Sequence, residues 1–262
     1  MISARSIARA VLIGLVAFTV PFTAATATAK SWVPEPGHND VAVTNHHGDD
    51  NGTTVSNIAA SSNWIEIANL DADDNDTAVG NNHAHYTSTA VGNHDADHNA
   101  TSVMNTLSHS NSTAVANDDA DHNATAVSNN NADANNVNVS NADAHANTTA
   151  VTNDDADSNA VVASNTGADH NDTTVTNDDA ASTTSVVSNL ASDDNDTAIT
   201  NDNATASTTV VSNNASSDND ITVDNTNTAN TTTVVAANGS HHNATVVSNN
   251  GHGNNTVVHN HG

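Results

Sequence analysis

From Val43 to Val247 every twelfth residue is a small aliphatic: fifteen Val, Ile67, Ile199 and Ala163. Two residues after each stands an Asn, from Asn45 to Asn249, with Ala237 the single exception. A globular core has no reason to hold one register over so long a stretch. A stack of like units does, because each unit meets only its neighbours and must show them the same surface.

The unit is plain in Asn99, Thr101, Val103 and Asn105, and again in Asn123, Thr125, Val127 and Asn129. Val79 and Asn81, Val91 and Asn93, and Val115 and Asn117 continue the same columns. Marked residues two apart share one face of a strand. Thr and Val favour strands, and the Asp-, Asn- and Ala-rich connectors suit turns. Each twelve-residue unit is therefore expected to be a strand of about seven residues plus a tight turn. Thr alternates with Ile65, Val137, Val161 and Ile221 two positions before the aliphatic, which fits burial. The other face carries Asp76, Asp172, Asp196 and Asp220, which fits solvent. Thr, Val and both flanking Asn are expected to point inward, with the Asn stacked into amide ladders.

Energetics require many units. Ordering twelve residues costs about 12–24 kcal/mol of backbone entropy. One buried Val returns about 1.5–3 kcal/mol. Stability must come from bonds shared between neighbours. Val162, Val186, Val210 and Val234 recur at intervals of twenty-four, so alternate units differ. The expected fold is all-β: a parallel β-solenoid of twelve-residue strand-turn repeats, with two strands, or 24 residues, per coil. Nine such coils at ~4.8 Å per strand would stand ~43 Å tall. No aromatic or disulfide cap is visible at either end, so open edges are expected.

Charge narrows the partners. The formal net charge is −27, and nothing after Lys30 is Lys or Arg. Neither nucleic acid nor an anionic lipid surface finds a basic footprint. The chain starts like an export signal: Arg5 and Arg9, an apolar stretch, then Ala27, Thr28 and Ala29 as a cleavage motif. The expected organisation is a signal peptide over residues 1–29, a linker over 30–40 and the repeat array over 41–262. The apolar stretch is too short for a comfortable membrane span, and no later segment qualifies. The mature chain is expected to be secreted, extracellular or on the cell surface.

The strands of Asn99 to Asn105, Asn123 to Asn129, Asn171 to Asn177 and Asn195 to Asn201 resemble the curlin repeat of bacterial curli amyloid subunits. Both place amide or hydroxyl groups at strand ends and small or aliphatic residues between them, at spacings of zero, two, four and six. Asn stands here where curlins carry Gln, and the turns are Asp-rich rather than Gly-rich. The resemblance implies a secreted structural subunit that polymerises with itself into fibre or matrix, or acts as a surface adhesin, with a secretion or nucleation helper as a further partner.

Other chemistry is sparser. Asp71, Asp73 and Asn75, Asp95, Asp97 and Asn99, Asp119, Asp121 and Asn123, and Asp155, Asp157 and Asn159 place oxygen ligands at alternating positions, as calcium loops do. They lack the distal Glu of an EF-hand. No cofactor is required by this reading, and calcium is the candidate ion. His98, His122 and His170 recur at equivalent turn sites, as polar residues that become charged in mild acid. A uniform array offers no singular constellation for catalysis, so an enzyme is not expected. Two alternatives compete: an ice-binding solenoid, which requires an exposed Thr–Val face, and a calcium-stabilised cell-surface repeat protein.

Overall fold

The computed structural model describes residues 14–21, 26–32, 39–46, 50, 52–58, 62–239, 241–242 and 244–261. All regular structure among them is β, in twenty-one strands from β1 (Gly14–Pro21) to β21 (Asn255–His261). Odd-numbered strands form one eleven-stranded sheet and even-numbered strands a ten-stranded one. Every pairing is parallel and joins strands 24 residues apart through most of the array, as Ala124 opposite Thr148. The chain is thus a two-strand β-solenoid, and the twenty-four-residue alternation marks the coil. No helix among the described residues is long and apolar enough to cross a membrane.

Strand and turn lengths follow the repeat. In the even sheet, β8 (Ala100–Thr106) and β10 (Ala124–Asn130) each span seven residues. Five-residue connectors close the twelve. Burial alternates strictly along β10: Thr125, Val127 and Asn129 face inward, Ala124 and Ala126 outward. Parallel in-register pairing stacks like on like, so Val79, Val103, Val127 and Val151 form one column. Val91, Val115, Val139 and Ala163 form the facing column of the odd sheet. These two columns and their continuations make up most of the aliphatic core among the described residues, joined by Val41, Ile65, Val137, Val161 and Ile221 from the Thr column.

The connectors explain the Asp and Asn content. In the connector after Asp118, Asp119 and His122 have φ of 49° and 58°. Two left-handed residues of this kind recur at the first and fourth connector positions, and Asp and Asn tolerate that region better than most residues. The turn directs their N–H groups along the stack: Asp119 donates to the Ala142 carbonyl at 3.1 Å and His122 to the His145 carbonyl at 2.9 Å. Between them Ala120 is fully buried, as are Ala72, Ala96 and Ala132. Only small residues occupy that inside corner, with Ser108, Ser192, Ser216 and Thr228 buried at the equivalent positions.

The pairing also takes in the stretch before the array. β1 pairs with β3 (Asn39–His46), and β2 (Thr26–Trp32) pairs with β4 (Gly52–Ile58). Strand β2 includes Ala27, Thr28 and Ala29 of the expected cleavage motif and Lys30 to Trp32 of the expected linker. Arg5 and Arg9, and the linker residues Pro34, Pro36 and Gly37, lie outside the described residues.

Candidate functional site

The distinctive chemistry of this molecule is a set of columns rather than a pocket. Two of them are amide ladders. In the even sheet Nδ2 of Asn57 donates to Oδ1 of Asn81, and the same bond continues through Asn105, Asn129, Asn153, Asn177, Asn201 and Asn225 to Asn249, at 2.6–3.0 Å. In the odd sheet it runs from Asn45 through Asn69, Asn93, Asn117, Asn141, Asn165 and Asn189 to Asn213, at 2.7–2.9 Å. Ala237, opposite Asn213 in register, ends that ladder. Every donor points towards the C-terminal coil. A buried amide, costly when alone, is here satisfied by its own repeat.

The Asn at the other end of each strand differs from expectation. Asn75, Asn99 and Asn123 are buried, but they do not bond one another's side chains. Oδ1 of Asn99 accepts the backbone N–H of Asn75 at 2.7 Å, and Oδ1 of Asn123 accepts that of Asn99 at 2.6 Å. Nδ2 of Asn99 turns back to the Ala96 carbonyl at 2.6 Å, closing its own corner. Asn159 does likewise, accepting from Asn135 N–H and donating to the Ala156 carbonyl. Backbone direction is the cause: an Asn entering a strand sits where the turn's amide and carbonyl converge, whereas an Asn near the strand end lies beside its copies in the adjacent coils.

Thr101 and Thr125 stack in an inward column, as expected, yet form no hydroxyl ladder. The buried Oγ1 atoms of Thr77, Thr101, Thr125, Thr149, Thr173 and Thr197 have no hydrogen-bond partner. In the C-terminal half the facing sheet supplies some contacts across the core, as Nδ2 of Asn201 to Oγ1 of Thr209 at 3.2 Å.

The alternating Asp-x-Asp-x-Asn triplets split into three separate roles. Asp71, Asp95, Asp119 and Asp155 are exposed and left-handed. The middle carboxylates cap the next coil: Oδ1 of Asp73 accepts Asp97 N–H at 2.8 Å, Asp97 accepts Asp121 N–H at 2.7 Å, and Asp157 accepts Ala181 N–H at 2.7 Å. Asp121 caps His145 N–H in the same way. Asn75, Asn99, Asn123 and Asn159 face the interior. The first and second oxygens of a triplet thus lie on the turn, and the third faces the interior. Among the described residues no group of three or more His, Asp or Glu side chains is arranged to hold a metal ion.

The buried corner has a sequence signal, a small residue every twelve positions, with Ser108, Ser192, Ser216 and Thr228 in place of Ala. Where Ser stands, its hydroxyl takes over a turn bond, as Ser108 Oγ to the Asn81 carbonyl at 3.1 Å.

Carboxylates also stack on the outer face of the even sheet. Burial raises the pKa of Asp196 above the ordinary carboxylate value, and Asp172, Asp220 and Asp194 raise it further. Asp178 is raised by burial and by Asp179, Asp202 and Asp154. Imidazoles stack as well: the His98 and His122 rings lie 5.0 Å apart and 5° from parallel. Other imidazoles meet carboxylates of the next coil, such as His94 and Asp118 at 3.3 Å.

These features define the class: a parallel β-solenoid repeat protein with an asparagine-laddered core. No known protein family matches the chain, and neither curated proteins nor solved structures provide a match.

Proposed function

We propose that this chain is an exported structural subunit that stacks end to end, coil on coil, into an extracellular fibre, matrix or surface adhesin. The observation that carries the reading is the in-register parallel stack, in which successive coils present one another with the same Asn ladder and the same aliphatic columns. A coil of this kind is a template for a further coil of the same register. The likeness of the repeat to curlin units points the same way. Extracellular surfaces or a secretion or nucleation helper fit as further partners.

The test is seeded elongation of the purified chain, followed by electron microscopy and fibre diffraction. Unbranched fibres with a ~4.8 Å meridional repeat are expected. A chain that stays monomeric at high concentration, in salt and in mild acid, with or without seeds, would defeat the proposal.

A further inference from the structure

The two sheets carry opposite outer faces in the C-terminal half. On the even sheet, the strands Asp172–Asp178, Asp196–Asp202 and Asp220–Ala229 bear Asp172, Asp178, Asp196, Asp202, Asp220 and Asp224. On the odd sheet, β13 (Ala160–Thr166), β15 (Thr184–Leu190), β17 (Thr208–Asn214), β19 (Thr232–Asn238) and β21 contain no Asp, Glu, Lys or Arg at all. Register stacks their outward residues into columns. Val162, Val186, Val210, Val234 and Val257 form a central ridge, with Val162 39% and Val257 46% exposed. Thr184, Thr208 and Thr232 line one side of it and Ser164, Ser188 and Ser212 the other. These Val are not core: the inward column beside them is Ala163, Val187, Val211 and Val235.

We infer that this uncharged Thr–Val–Ser face is a lateral docking surface for the same face of a second copy of this chain. Charge selects the occupant's orientation. A copy bearing a net charge of −27 is repelled by every acidic surface of its partner, and this patch is where two copies approach with no carboxylate between the strands. Area is sufficient. Five strands ~4.8 Å apart, each seven residues long at ~3.3 Å, cover about 550 Å² per copy. Two copies bury about 1,100 Å², just above the ~1,000 Å² a specific interface needs. The ridges interdigitate as paired sheets do in a dry zipper, around a two-fold axis that closes the assembly at two. Flanking turns still repel through Asp169, Asp179 and Asp193, so pairing strengthens with salt.

This surface lies on the side of the solenoid, so the inference does not rest on end-to-end stacking. The experiment is sedimentation velocity of the purified chain, from low to 0.5 M NaCl, beside the variant Val186→Asp/Val210→Asp. A discrete dimer is expected for the wild type, with at least a tenfold gain in association across the salt range. The variant should lose that dimer while keeping its circular dichroism and melting curve. If the double substitution disturbs folding, Val210→Lys alone gives the second reading. A wild type with no dimer at any salt, or a folded variant that dimerises equally well, overturns the inference. So does thermal hysteresis by a strictly monomeric wild type, which would make the face an ice-binding one. Fibres one solenoid wide in both proteins would uphold end-to-end stacking and sink the lateral contact; paired dimers that never elongate would do the reverse.

Discussion

Asn129 and Asn153 stand 24 residues apart, and the side-chain amide of the first donates to the side-chain oxygen of the second at 2.8 Å. Asn129 in turn accepts from Asn105 at the same distance. Each rung of the ladder is both donor and acceptor, so removing one rung harms two neighbours. The molecule's stability is held jointly by adjacent coils rather than by any one of them.

Replacing Asn129 with Ala leaves the amide of Asn105 without its acceptor and the oxygen of Asn153 without its donor. Each orphaned group costs about 1–3 kcal/mol. Denaturant unfolding should show a loss of about 2–6 kcal/mol for the two groups together. Ala at the outward Asn130, whose amide meets Asp154 at 2.9 Å near solvent, should cost clearly less.

Thr125→Val should stabilise the protein. The buried Thr125 hydroxyl has no partner, and Val has nearly the same shape. Removing an unsatisfied buried hydroxyl gains about 1 kcal/mol. A melting temperature that falls would mean that the hydroxyl is satisfied in solution. Val137 and Ile221 at equivalent positions indicate that the site accepts the change.

Leu107 has φ of 49° at a connector position where Asp95 and Asp119 stand elsewhere. Its side chain is exposed and contributes little burial. The left-handed region costs a branched L-residue about 1–2 kcal/mol, a strain that Gly escapes. Leu107→Gly should therefore raise the unfolding midpoint, whereas Ala100→Gly, within a strand, should lower it.

Acidification should stabilise the fold through the carboxylate range. Asp178 and Asp196 have raised pKa values in the folded state, from burial first and neighbouring carboxylates second. The folded chain thus binds these protons more tightly than the unfolded chain. Their contribution is fully present below the unfolded carboxylate value and is lost as pH rises through the folded one. Melting curves between pH 7 and pH 4 should shift upward on acidification. Asp178→Asn together with Asp196→Asn should flatten that shift while stabilising the protein at pH 7.

Much of this architecture follows from spacing. A period of two within seven residues makes a strand, and a period of twelve makes a stack. Exchange of Thr101-type residues with Ile and Val identified the inward face, and the recurrence of Val162 every twenty-four residues marked two strands per coil. The ice-binding alternative requires an exposed Thr101–Val103 face, and both residues are buried. Instead, Thr184 and Val186 present an outward Thr-x-Val pattern on the odd sheet.

The order of residues by itself settled that this chain is a solenoid and which side of each strand is dry, because only in-register stacking uses so strict a period. Two things were decided in three dimensions. Asn99 and Asn105 are the same amino acid in the same repeat, yet one bonds backbone and the other its own copy. The Asp of each connector divide between solvent and capping of the next coil. Each outcome depends on what backbone the turn brings within 3 Å of a side chain, and a period along the chain carries no such distance.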